Sequence, residues 1–207
     1  MLEERRVTNK SRTFLAFELL ETEVVPKVYS FPKFKAANTG RKPMEVIGAA
    51  IDRLPEKDAG ITSSFTVIDR FVSARPSLEV EVLAIDCVAS DAARIKIYIR
   101  NRATDWDSVE HMVTLAGAID FSTISKSFEE LRCRWSILFN IDLVAEPGHD
   151  LKQSDHLTAG ILFNFEIKCG SSAVVPKVYV PVRHFAKSDA SIMRRLKSSS
   201  NRSVEPD

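Results

Sequence analysis

The hexapeptide VVPKVY is written twice in this chain, at Val24–Tyr29 and at Val174–Tyr179, and a relative, RIKIY, stands between them at Arg94–Tyr98. Each copy sets Lys-x-Tyr in a β-branched, strand-like context, and each follows a second alternating segment across a polar turn. The first pair is TFLAFELL (Thr13–Leu20) and VVPKVYSF, joined at Glu21–Glu23. Leu15, Phe17 and Leu19 alternate there with Ala16 and Glu18, as in a half-buried strand. The second is SLEVEVLAI (Ser77–Ile85) and ARIKIYIR, with a turn near Ala89–Ala92. Ile95, Ile97 and Ile99 share one of its faces; Arg94, Lys96, Tyr98 and Arg100 share the other. The third is ILFNFEIK (Ile161–Lys168), a CGSSA turn and VVPKVYVPV, where Gly170 suits a left-handed residue and Pro176 an edge strand.

Helical patterns lie between and after these hairpins. They cover KPMEVIGAAIDRL (Lys42–Leu54), DWDSVEHMVTLAGAI (Asp105–Ile119), SFEELRCRWSILF (Ser127–Phe139) and SDASIMRRLKS (Ser188–Ser198). Asp105 or Asp107 is the expected N-cap of the second and Ser188 that of the last. The lysines of the Lys-x-Tyr strands recur at intervals of 69 and 81 residues. A repeated helix–hairpin–helix unit cannot bury its own apolar face, so neighbouring units are expected to stack side by side. The predicted class is α+β, with antiparallel strands covered by helices on one face. The domain is expected over residues 1–196, with 197–207 as a disordered polar tail.

The 207 residues carry a net charge of +1, with 44% hydrophobic and 28% charged side chains, an ordinary globular balance. That gives no global attraction to nucleic acid or anionic membrane, so an anion site must be a local cluster. No apolar run approaches the roughly 20 residues of a spanning helix. MLEERRVTNK lacks the apolar core of a signal peptide, and the expected setting is the cytoplasm. Cys87, Cys133 and Cys169 are odd in number and far apart, which suits small core residues better than disulfides or zinc ligands. Trp106 and Trp135 read as packing anchors, His111 as structural, and His184 as a surface residue or an edge of the anion site beside Arg183.

Residues two apart on a strand share a face, so three strands project Lys27 with Tyr29, Lys96 with Tyr98, and Lys177 with Tyr179 to the side opposite their aliphatic residues. Solvation explains one such pair; its recurrence at equivalent places in a repeat favours a functional face. Lys and Arg bind anions, and Arg94 presents a fork suited to phosphate oxygens. Tyrosine rings attract cations. Together they suit a substrate that ionises, such as an allylic diphosphate. Basic groups would hold the departing diphosphate while tyrosines shield the allyl cation from water. The cluster is expected to have little acid around it; where Glu18 and Glu166 fall on this face, partnering Lys or Arg is their simplest role.

The segments VVPKVYSFPKFKAANTGR, ARIKIYIRNRATDWDSVEHMVTLAGAI and the run from ILFNFEIK to VVPKVYVPVRHFAKSDASIMR resemble the fungal aromatic (indole) prenyltransferases of the dimethylallyltryptophan synthase type, over roughly residues 13–196. The resemblance implies an antiparallel β-barrel of repeated helix–strand–strand–helix units with the site in its lumen, here incomplete at both ends. It implies diphosphate binding by Lys27, Arg94, Lys96 and Lys177, and a carbocation shield of Tyr29, Tyr98 and Tyr179. Chemistry without a metal or other cofactor is expected, with dimethylallyl diphosphate as substrate and an indole, tryptophan or phenolic polyketide as acceptor. The glutamate that accepts the indole proton in this family has no counterpart in MLEERRVTNKSR, so no catalytic residue is assigned.

The alternative is a truncated, inactive relic that at most binds isoprenoid diphosphate. A homodimer is left open. A single-stranded RNA-binding sheet is the rival from another class, disfavoured by the near-zero charge and the missing RNP pattern. A ligand carrier is a further rival, separated from an enzyme by carbon–carbon bond formation.

Overall fold

Six strands follow one another through a single antiparallel sheet in the order of the chain. A computed structural model describes residues 11–54, 58–89, 92–151, 154–186 and 188–200. The strands are β1 (Thr13–Leu19), β2 (Val24–Ser30), β3 (Glu79–Asp86), β4 (Arg94–Asn101), β5 (Ile161–Lys168) and β6 (Val174–Tyr179). All three predicted hairpins are therefore present. The helices are α1 (Pro32–Thr39), α2 (Pro43–Ile51), α3 (Ala59–Ser73), α4 (Trp106–Val113), α5 (Phe121–Phe139) and α6 (Asp189–Ser200). The register places Phe14 opposite Tyr29 and Ala16 opposite Lys27 between β1 and β2. Between β2 and β3, Lys27 faces Asp86 and Tyr29 faces Ala84.

The chain divides into two compact units. The first comprises Met1–Ala74, Val80–Ile99 and Phe165–Val175. Its core includes Ile47 and Ile51 of α2, Ile68 and Phe71 of α3, and Ile97 and Phe165 of the sheet. The Asp58 carboxylate caps α3 by accepting the Ile61 N–H at 2.7 Å. It also accepts the Gly170 N–H and, at 3.3 Å, the Cys169 thiol, so one side chain ties the start of α3 to the β5–β6 turn. Gly170 has the left-handed φ of 75° expected of it. A Cβ at Gly60 would lie 2.7 Å from the Ser171 carbonyl oxygen, so the approach of helix to turn demands glycine.

On β1 the predicted alternation holds but the burial does not. Leu15, Phe17 and Leu19 are 61%, 60% and 77% exposed, since among the described residues none packs over that face of β1, which has a strand neighbour on one side, β2.

The second unit comprises Arg75–Glu79, Arg100–Asn164 and Pro176–Asp207. Trp106 and Trp135 anchor it as expected, 3% and 1% exposed with ring centroids 5.7 Å apart. Asp105 rather than Asp107 caps α4, accepting the Ser108 N–H at 2.8 Å. The helix stops at Val113, short of the expected Ile119, because Leu115, Ala116 and Gly117 all take positive φ. Asp120 caps α5, which consequently begins six residues before the expected Ser127. Gly160, at φ 83°, leaves no room for a Cβ, which would meet the Asn101 carbonyl oxygen at 2.5 Å. The Ser188 hydroxyl accepts the Ser191 N–H at 3.2 Å, as expected of a cap. The α6 helix runs to Ser200, two residues beyond the expected Ser198; residues 201–207 of the expected tail lie outside the described residues.

The cysteines are not core residues. Cys87 and Cys133 are exposed and Cys169 is half-buried, because Cys87 follows the last residue of β3 and Cys133 lies on the outer side of α5. Among the described residues no helix is long and apolar enough to cross a membrane.

Candidate functional site

The polar face of the first unit's strands carries a row of alternating charge. The odd-numbered isoleucines of β4 are buried, with Ile97 and Ile99 at 0% exposure. Period-two alternation therefore puts Arg94, Lys96 and Tyr98 on the opposite face. That face is not bathed in bulk water, since Lys96 is 5% and Asp86 3% exposed. The Asp86 carboxylate accepts a hydrogen bond from Arg94 Nε at 2.6 Å and another from Lys96 Nζ at 2.6 Å, one on each oxygen. Arg94 Nη1 stands 3.8 Å from Glu166 of β5. On the other side, Lys27 Nζ meets Glu18 of β1 at 2.5 Å. Glu18 and Glu166 thus take the partnering role expected of them.

The expectation of a basic cluster with little acid is wrong. Lys27, Arg94 and Lys96 come together across β2–β4 with Glu18, Asp86 and Glu166 among them. The reason is energetic: a buried ammonium is strongly disfavoured unless a counter-ion and hydrogen bonds replace its water, and Lys96 lies deep enough to need both. Asp86 was not identified from sequence. Its signal is the continuation of the Val80–Val82–Ala84 face by one more step, but its partnership with Lys96 depends on strand register, which alternation alone does not set.

These pairings bias the charges. Burial works against ionised Asp86, but hydrogen bonds from Lys96 and Arg94 outweigh it and hold the carboxyl below its ordinary value. The hydrogen bond and charge of Lys27 hold Glu18 low. The same hydrogen bond raises Lys27 against the effect of burial. The hydrogen bond to Asp86 likewise raises Arg94, so its charge, like that of Lys27, is reinforced for anion binding.

Two residues along the strands from this row lies an aromatic one. The Tyr29 and Tyr98 rings are 6.4 Å apart at 44°, and Phe14 stacks on Tyr29 at 4.6 Å and 5°. Ala84, opposite Tyr29 on the intervening strand and 1% exposed, is small enough to let the two tyrosines approach across it. Phe14 was not among the expected site residues; its in-register position opposite Tyr29 is what brings it in.

Lys177, half-buried, and Tyr179, 46% exposed, lie on β6 in the second unit. In that unit Arg100 donates to the Thr158 and Ala159 carbonyl oxygens at 3.1 and 3.3 Å. Asn164 is 1% exposed and its Oδ1 meets no hydrogen-bond donor among the described residues. The His184 Nε2 stands 2.8 Å from the Thr158 hydroxyl, and its ring lies 4.7 Å from that of His156. Burial, with the charges of His156 and Arg183, pushes the His184 imidazole below its ordinary value. His111 is exposed and accepts hydrogen bonds from Arg75, a structural role as expected. Among the described residues no group of three or more His, Cys, Asp or Glu side chains is placed to hold a metal ion.

Comparison with known proteins joins this geometry to a family. The chain is 35% identical over 195 residues to a 4-O-dimethylallyl-L-tyrosine synthase of Claviceps purpurea, covering 91% of this chain and 43% of that protein. It is 32% identical over 193 residues to a 7-dimethylallyltryptophan synthase of Aspergillus fumigatus, covering 91% and 40%. A crystal structure of NotF in complex with brevianamide F and DMSPP matches the fold with a TM-score of 0.76 at 24% identity, over 96% of this chain and 47% of that one. The chain spans less than half the length of each of these relatives. The family model described as tryptophan dimethylallyltransferase matches residues 2–202, so the chain, with its row of lysines and arginine beside paired tyrosines, belongs to the tryptophan dimethylallyltransferase family.

Proposed function

We propose that this chain forms the donor-binding part of an aromatic prenyltransferase, its six strands being part of a prenyltransferase barrel. The reaction is transfer of a dimethylallyl group from its diphosphate to an electron-rich aromatic acceptor. The observation that carries this reading is the juxtaposition of Lys27, Arg94 and Lys96 with the Tyr29–Tyr98 pair, set two residues along the same strands. The basic groups take the diphosphate oxygens and stabilise the charge that develops as the allylic C–O bond breaks and its electron pair leaves with diphosphate. The tyrosine faces stabilise the allyl cation and keep water from it. An electron pair of the acceptor, from the ring or a phenol oxygen, then forms the new bond, and the proton lost from that atom passes to the released diphosphate or to solvent. Lys177 and Tyr179 are assigned the same two roles by their equivalence in the sequence repeat.

Basic side chains doing this work make the reaction independent of a metal ion. Both tyrosine and tryptophan acceptors are suggested by the relatives, one named a 4-O-dimethylallyl-L-tyrosine synthase and another a 7-dimethylallyltryptophan synthase. The deciding experiment incubates the purified chain with dimethylallyl diphosphate and L-tyrosine or L-tryptophan, and follows products by mass spectrometry. An acceptor heavier by one dimethylallyl group in place of hydrogen is the expected result. Donor binding without product would reduce the reading to a diphosphate-binding protein. No binding would end it.

A further inference from the structure

Three carboxylates stand among Lys27, Arg94 and Lys96, so these six side chains together carry no net charge. Within this row a diphosphate gains a basic group by displacing the carboxylate paired with it. The carboxylates differ in how firmly they are held. Asp86 is 3% exposed and has both oxygens engaged at 2.6 Å. It takes Arg94 through Nε, which leaves the two Nη groups of that guanidinium directed elsewhere. Glu166 stands 3.8 Å from Arg94 Nη1, and its side chain is 12% exposed. Glu18 lies on the edge strand β1 with its side chain 45% exposed, and meets Lys27 at 2.5 Å.

We infer that Glu18 is an internal surrogate for the donor's anion, occupying Lys27 until diphosphate displaces it, whereas Asp86 is a fixed positioning residue that aims Arg94 and Lys96. The inference rests on the donor-site reading given above. A diphosphate offers several charged oxygens to Lys27, Arg94 and Lys96 at once, while Glu18 offers one carboxylate to one lysine. With its side chain 45% exposed, Glu18 has solvent to turn into when it is replaced. Asp86 has no such exit, and its departure would strand the Lys96 ammonium in a buried place.

The test titrates inorganic diphosphate into the purified full chain by calorimetry, at neutral pH and constant ionic strength. Removing an exposed competing pair is expected to make Glu18→Gln bind about two- to fivefold tighter than wild type. In a Lys27→Met background the same substitution is expected to have no effect, which separates a surrogate at Lys27 from a general gain of charge. Asp86→Asn is expected to bind at least about tenfold more weakly, with Asp86→Glu recovering part of the loss. Circular dichroism of each variant establishes folding, and Glu18→Gln, on an exposed edge, decides the matter should Asp86→Asn unfold. If wild type binds and Glu18→Gln binds no tighter, the surrogate role is overturned and the donor site stands. If folded wild type binds no diphosphate at all, the donor-site reading falls and the surrogate falls with it.

Discussion

Lys27 stands directly opposite Asp86 in the β2–β3 register, yet its ammonium pairs with Glu18 on the other side. Asp86 is already committed to Arg94 and Lys96, so the cation nearest to it along the register looks outward for a partner. A row of alternating charge results, in which each substitution reaches past its immediate neighbour.

The Asp86–Lys96 pair is the tightest constraint in that row, and its removal from one side leaves an uncompensated buried charge. Asp86→Asn is expected to lower stability by about 3 kcal/mol. Asp86→Asn combined with Lys96→Met is expected to recover most of it, because the orphaned ammonium is then gone. Urea unfolding of the two single variants and the double variant measures the coupling.

Acid should weaken the fold in two stages. His184 lies below its ordinary value, so the unfolded chain takes up a proton first as pH falls through about 6.5, with a small loss of stability. Asp86, Glu18 and Asp58 are also held low, the last by the N–H groups of Ile61 and Gly170. Their contribution is fully present above the ordinary carboxylate range and is lost progressively as pH falls below about 4. Denaturant midpoints between pH 8 and pH 3 should show both slopes, the steeper being the acidic one. A midpoint that rose on acidification would contradict the assignment.

Gly160→Ala should be among the most damaging small substitutions in the second unit. Both the φ of 83° and the 2.5 Å approach to the Asn101 carbonyl oxygen oppose a side chain there. The expected cost is about 2–4 kcal/mol. Gly148→Ala, where a Cβ meets nothing within 4 Å, serves as the control in the same thermal melt.

If the tyrosines shield an allyl cation, their faces matter more than their hydroxyls. Tyr29→Phe should keep the ratio of prenylated product to dimethylallyl alcohol close to that of wild type. Tyr29→Ala should raise the alcohol severalfold, because water then reaches the cation. Chromatographic quantitation of the two products from one donor measures the partition, and an unchanged ratio in Tyr29→Ala would remove the ring from the mechanism.

The three thiols should divide two to one. Cys87 and Cys133 are exposed, whereas Cys169 is half-buried and donates to the Asp58 carboxylate at 3.3 Å. Partial burial and the engaged thiol both shield Cys169, so it should react with a disulfide reagent markedly more slowly than the other two. Stopped-flow absorbance with Ellman's reagent reads the two phases.

The strands and their polar face were legible because period-two alternation is a local property. Ile95, Ile97 and Ile99 announce one side of β4, and Arg94, Lys96 and Tyr98 the other. The α3 helix was not legible. AGITSSFTVIDRFVS is rich in Ser, Thr and Val, residues with modest helix propensity, and it becomes helical by burying Ile61, Ile68, Phe71 and Val72 under an Asp58 cap. The α1 helix, eight residues between a proline and Gly40, is too short for a periodic signal. The acidic half of the site stayed hidden for another reason. A carboxylate such as Asp86 belongs to the site only through strands distant in the chain, and alternation says which face a residue takes but not whom it meets there.

Ala84 contributes to the aromatic pair by what it lacks. A single methyl separates Tyr29 from Tyr98 across β3, and a branched side chain in its place would drive the rings apart without touching a single charge. Positions of this kind are invisible to any inventory of chemically capable groups, since alanine donates, accepts and titrates nothing. Their currency is volume. The width of the aromatic wall can therefore drift or be engineered from its floor, one carbon at a time, while every side chain that handles the diphosphate stays the same.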